Sequence, residues 1–275
     1  MQSIEDFFNS IVSLPSLPKV VQEVMQLLGK DNVDINQLAK VIEQDAVIAA
    51  KVLKMANSSF YGVTRAVKNI DDAVAIMGLA KLRSLVVASG VTEAMASVPG
   101  LDLKRLWSHS LVAASISREL AKPLALDAEV AYLAGLLHNI GGLLLYLASP
   151  KQVAEIDGLC IDACAERRCS VERDVIGLDH CQVGEELALR WDFPTEISRV
   201  LHYYATPLDK RACAVASVVY VAVHIAHGLV RGDDAHAMAS ALSTEVLQRL
   251  QLSEADLQYS IEHYRDLLQE ASAMM

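Results

Sequence analysis

Apolar residues recur at three- and four-residue spacing along most of the chain, the period of helices with one buried face. Val20, Val21, Val24, Met25 and Leu28 make such a stripe between Pro18 and Gly29. Leu38, Val41 and Ile42 make a second behind Asp34, a residue type that caps helix N-termini. Asp45 opens a third over Ala46–Ala56, ended by Asn57-Ser58, and Asp71 stands at the start of a fourth over residues 72–77, before Gly78. The pattern continues over residues 79–96 to Val98–Gly100, whose Pro-Gly pair marks the best domain boundary.

Beyond it the periodicity predicts longer helices over residues 102–121, 128–147, 150–168, 181–191, 195–204 and 212–230, with acidic helices after Ser243. Pro123, Pro150, Pro194 and Pro207 separate several of them. Alternating Val, Ile and Thr runs bounded by Asn-Gly or Asp-Gly turns are absent. The expected class is all-α, with an N-terminal helical part (residues 1–100) packed on a helical bundle (residues 101–275).

With 53% hydrophobic residues in 275, the chain can bury a large core, and disorder is excluded as its main state. Residues 130–148 carry no formal charge and are long enough to cross a bilayer. They contain His138, Asn139 and three glycines and lack flanking basic clusters, so a buried core helix is expected. Met1 to Leu14 has Glu5 and Asp6 but no basic residue, unlike a secretory signal, and the expected location is cytoplasmic with no membrane contact. Five cysteines without a C-x-x-C pair read as reduced thiols. Cys160 and Cys164, one helical turn apart, read as small buried hydrophobes rather than as a metal pair.

The net charge of −10 opposes binding to a phosphate backbone. Residues 71–88 form a loose helix-turn-helix pattern, but its second helix offers only Lys81 and Arg83, so a DNA-binding regulator is the weakest functional reading.

Six of the eight histidines fall between residues 109 and 227. His109 lies on an amphipathic stretch with Leu106, Trp107, Leu111 and Val112, and His138 sits deep in Leu136-Leu137-His138-Asn139-Ile140-Gly141. Each buried ring needs partners for both nitrogens.

His138-Asn139-Ile140-Gly141 resembles the His-Asp-Ile-Gly signature of the HD superfamily of metal-dependent phosphohydrolases, with one letter changed. The segments around His109, around Asp179-His180 with Trp191-Asp192-Phe193-Pro194, around His202, and His224-Ile225-Ala226-His227 resemble its other landmarks in order. Leu14-Pro15-Ser16-Leu17-Pro18, Ile42-Glu43-Gln44-Asp45, Lys51-Val52-Leu53, Ala56-Asn57-Ser58, Tyr61 and residues 73–78 further resemble the HDOD family, the HD-related output domains of bacterial signalling proteins. Asn57 and Ser58 are expected to stop a helix and anchor a loop.

The resemblance implies a remnant pocket formed by His109, His138, Asn139, His180, His202 and His227. Both carboxylates of the hydrolase ligand set are missing: Asn139 is neutral, and His227 offers nitrogen where the family has a hard oxygen donor. Mg²⁺ and Mn²⁺ therefore fit poorly. No cofactor is expected, and if a metal binds at His109, His138 and His227 it is Zn²⁺, Ni²⁺ or Fe²⁺. Asp174 or Asp179 is a candidate to replace a carboxylate near His180.

The leading expectation is a non-catalytic regulatory module that binds a signalling protein or a small ligand, with homo-oligomer formation left open. The alternative is a metal-dependent phosphohydrolase with an altered ligand set.

Overall fold

The computed structural model describes residues 3–11, 14–28, 35–58, 65–96, 101–161 and 164–274. They form seventeen α-helices and no strand. The N-terminal part holds α1 (Ile4–Ser10), α2 (Lys19–Leu28), α3 (Ile35–Glu43), α4 (Ala46–Ala56), α5 (Ile70–Met77) and α6 (Leu79–Ala94). The bundle follows with α7 (Leu103–Ala121), α8 (Ala128–Leu137), α9 (Ile140–Ala148), α10 (Pro150–Leu159), α11 (Ala165–Val175) and α12 (His180–Arg190). It ends with α13 (Thr195–Tyr203), α14 (Ala214–Arg231), α15 (Ala235–Ser240), α16 (Thr244–Arg249) and α17 (Glu254–Met274). Asp34, Gly29, Tyr61 and the boundary at Val98–Gly100 lie outside the described residues.

The caps explain the short N-terminal helices. Asp45 accepts from the amides of Val47 and Ile48, as its position before an apolar run predicts. α5 starts earlier than expected because Asn69, not Asp71, caps it, accepting from the amide of Asp72. Asn57 ends α4 by donating to the carbonyls of Leu53 and Val67 while accepting from the amide of Val67, so it clips two separated stretches together. α6 is buried at Leu82 and from Ser84 to Val91. Its most exposed residues fall in the first turn, Lys81 among them.

Two helices are shorter than the periodicity predicts. The stretch read as one helix over 128–147 breaks at His138-Asn139, and the stretch over 150–168 breaks between α10 and α11. Cys160 consequently caps α10 and is buried, whereas Cys164 precedes α11 and is exposed. They do not share a helical turn. Residues 128–148 and α14 are apolar enough to cross a membrane by length and composition, but most of their apolar stretch is buried inside the protein.

A continuous core runs from Phe7 and Phe8 through the bundle to Ala271. Several contacts join the two parts. Trp191 Nε1 donates to the carbonyl of Pro15, and Ser84 Oγ on α6 donates to Glu129 on α8, which also accepts from Arg118 on α7. The Arg118 guanidinium lies 3.8 Å over the ring of buried Tyr132.

α9 crosses α12 where two glycines face each other. A Cβ on Gly141 would stand 2.0 Å from the His180 carbonyl oxygen and 2.5 Å from the Gly184 amide nitrogen. Gly141→Ala is expected to cost about 3 kcal/mol or more in urea unfolding, because backbone on both sides must move. Gly158→Ala on α10, where a Cβ meets nothing within 4 Å, is expected to be neutral or to gain up to about 1 kcal/mol.

Candidate functional site

The break between α8 and α9 exposes a cavity of about 500 Å³ walled by residues between 101 and 241. His138 closes α8, and its Nδ1 stands 2.7 Å from the carbonyl oxygen of Gly135. A carbonyl only accepts, so Nδ1 carries the proton and Nε2 of the neutral ring is an acceptor. Burial holds this histidine down at about 4, against the raising effect of the Gly135 bond. Asn139 folds its side chain over Gly142, where any Cβ would stand 2.2 Å from its Oδ1.

His109 on α7 and His227 on α14 complete a group of rings. Their centroids are 5.4 Å (His109 to His138) and 5.7 Å (His109 to His227) apart. His109 Nε2 is buried without a hydrogen-bond partner. Burial pushes His109 well below the usual imidazole value, and burial lowers His227 as well. This wall of the cavity is therefore made of neutral imidazoles near pH 7.

His180 is different. It opens α12 behind Asp179, whose carboxylate forms a capping box with Gln182. Its Nδ1 lies 2.5 Å from Glu172 Oε2, which also accepts from the His180 amide, and its Nε2 lies 2.6 Å from the Tyr204 hydroxyl. Burial works against its charge, but Cys169 and Glu172 raise it to about 10. Glu172 is itself buried, and His180 and Arg168 hold it below the usual carboxylate range despite that burial. The Arg168 Nε donates to Glu172, and its other arm donates to Asp157.

Of the expected pocket residues, His109, His138, Asn139, His180 and His227 line the cavity. His202 does not line it: the ring pairs with Glu185 at 2.5 Å and packs on Tyr203 at the surface. The carboxylate beside His180 is Glu172; Asp174 is exposed, and Asp179 caps α12 and pairs with Arg173. Glu172, Arg168, Asp157 and Tyr204 went unread in the sequence. Arg168 and Glu172 sit in the charged run from Glu166 to Asp174, which resembles a solvated helix face.

Among the described residues, Cys169, His180 and Cys181 are a possible metal-binding cluster, with ligand atoms all within 4.8 Å of one another. A metal of the HD kind at His109, His138 and His227 would meet an acceptor nitrogen on His138 and an unpartnered nitrogen on His109, donors that suit Zn²⁺, Ni²⁺ or Fe²⁺ better than Mg²⁺.

The order of the landmark segments and this helical frame now meet an independent match, since the HDOD domain family covers residues 14–207. The chain belongs to the HDOD family. Its fold is similar to that of a proposed phosphohydrolase from Shewanella amazonensis, with 26% identity, a TM-score of 0.81, and coverage of 98% of this chain and 97% of that one. It is also similar to an HDOD domain protein of unknown function from Geobacter sulfurreducens (25% identity, TM-score 0.79, coverage 98% and 96%). A proposed signal transduction protein from Marinobacter aquaeolei shares the fold at 23% identity and a TM-score of 0.78, with coverage of 100% and 61%. An uncharacterized Treponema pallidum protein is 25% identical over 199 residues, covering 70% of this chain, which spans 38% of that protein's length.

The HDOD chain places His202 in an ion pair outside the cavity, and this gives a pH test. The Glu185 bond raises the His202 pKa, so the pair stabilises the fold below about pH 6.5 and loses that effect as pH rises through the raised value. Glu185→Gln is expected to lower stability by up to about 1 kcal/mol at pH 5.5 and to change nothing at pH 9, read by urea unfolding.

Proposed function

We propose that this HDOD chain is a non-catalytic signal-transduction module whose cavity takes up a small ligand and whose N-terminal helices pass the change to a partner protein. One observation carries the reading. The only carboxylate lining the cavity among the described residues is Asp157, and it is committed to Arg168. At the two positions where an HD hydrolase supplies carboxylates stand the amide of Asn139 and the imidazole of His227. Among the described residues, the cavity thus offers a hard divalent cation a single carboxylate, and that one is already paired with an arginine.

A route to the N-terminal part supports the same reading. α8 carries His138 at its cavity end and Glu129 at the other, and Glu129 accepts from Ser84 of α6. A ligand that displaces His138 acts on a rod already bonded to the N-terminal helices. The effect requires different affinities for two positions of α8.

The alternative is a metal-dependent phosphohydrolase with an imidazole ligand set, favoured by the unpartnered Nε2 of His109 and by the neutral rings around it. A bound transition metal would supply an activated water. His109, His138 and His227 would hold it.

Two assays separate the readings. A panel of nucleotides and divalent metals in thermal unfolding is expected to contain a ligand that raises Tm by roughly 5–10 °C at 100 times its Kd, corresponding to about 2.7 kcal/mol. No shift with any compound would remove the small-ligand version. Hydrolysis of a nitrophenyl phosphodiester with Mn²⁺ or Zn²⁺ is expected to stay at background in both wild type and His138→Ala. Turnover in the wild type that falls at least tenfold in the variant would establish the enzyme.

A further inference from the structure

One residue behind the cavity wall, two thiols meet. Cys169, on α11, and Cys181, the second residue of α12, are both buried, and their sulfurs are 3.6 Å apart. The Cys169 sulfur lies 3.8 Å from Nδ1 and 3.9 Å from Nε2 of His180. Near-equal distances from the two nitrogens place the sulfur off the lone-pair axis of both. Each nitrogen already faces an oxygen, Glu172 at 2.5 Å and Tyr204 at 2.6 Å.

Proximity alone would allow a metal here, but the donor directions do not converge. A zinc ion needs an imidazole nitrogen at about 2.0–2.1 Å along its lone pair and thiolates at about 2.3 Å. To supply that, the His180 ring must release Glu172 or Tyr204 and turn, giving up a buried charge-assisted bond. The two sulfurs need only close to the bond length of about 2.05 Å.

We propose that Cys169 and Cys181 are a redox-active pair that closes to a disulfide when hydrogen peroxide reaches it, pinning α11 to α12 behind the ligand cavity. The surroundings favour Cys169 as the attacking group. Its sulfur stands between the His180 ring and the Cys181 sulfur, within 3.9 Å of both, so the resolving thiol is already in place beside it.

In the first step the Cys169 thiolate attacks one peroxide oxygen and the O–O bond breaks. The departing hydroxide takes a proton and leaves as water, with a sulfenic acid on Cys169. In the second step the Cys181 sulfur forms the S–S bond and expels the hydroxyl group, which leaves as water with the Cys181 proton. Two electrons pass from the sulfurs to one peroxide. The product removes both thiols beside His180, and so changes the surroundings of the ring behind the Tyr204 wall of the cavity.

The sequence supplies a sharp readout, because trypsin cuts at Arg168, Arg173 and Arg190 and thus separates the two cysteines. Fully reduced protein is treated with hydrogen peroxide, acid-quenched, alkylated under denaturing conditions and digested without reductant. The expected result is loss of two of the five thiols and a peptide joining residues 169–173 to 174–190. Cys169→Ser and Cys181→Ser are each expected to abolish that peptide, and the wild-type map stands alone should either variant fail to fold. The proposal is overturned if all five thiols survive, if oxidation stays at exposed Cys164, or if the disulfide involves another cysteine. It is equally overturned if the protein as purified holds near-stoichiometric zinc that Cys169→Ser releases, since the cluster is then a metal site.

Discussion

The arrangement of the site depends on how closely two helices can approach at Gly141 and Gly184. With no side chain on either residue, the start of α9 lies directly on the first turn of α12. That contact fixes His138 and Asn139 relative to His180, and both histidine rings lie against Tyr204. Gly142 then leaves room for the Asn139 side chain to fold back, and Gly135 lets α8 pack on α7 with its would-be Cβ only 2.9 Å from the Ala114 Cα. The glycines of this apolar run therefore act through close packing.

Around this crossing the charges are separated. Burial holds His109 and His138 neutral and partial desolvation lowers the exposed His227, while Cys169 and Glu172 hold His180 as a cation. Arg168 balances Glu172 from the other side, so the buried carboxylate lies between two cations. Breaking such a buried pair by removing one partner typically costs about 3–5 kcal/mol, which holds His180 firmly in place. The His138 ring is bonded through Nδ1 to its own helix and keeps an acceptor nitrogen on the other side. The cavity lining thus combines a fully bonded, charged histidine with neutral, incompletely bonded ones.

Much of this was legible in the sequence, and the failures have physical causes. Helix period and caps predict the all-α class and the Asp45 start of α4, and five of the six residues singled out by the HD-like landmarks line the cavity. The break at His138-Asn139 was hidden because its flanks are uniformly apolar, so periodicity carries no phase across it. His202 was misplaced because residues two apart on a helix face opposite ways. Tyr204, just past α13, points inwards, while His202 points to Glu185. Glu172 was invisible because a buried carboxylate and a solvated one look alike among charged neighbours.

The most direct test of this separation of charge is nitrogen-15 NMR of the histidine rings in the metal-free protein at pH 7. The account predicts a neutral His138 protonated on Nδ1, neutral rings for His109 and His227, and a doubly protonated His180. A protonated His138, or a neutral His180, would contradict it and remove the physical basis for reading the cavity as a neutral ligand pocket beside a buried cation.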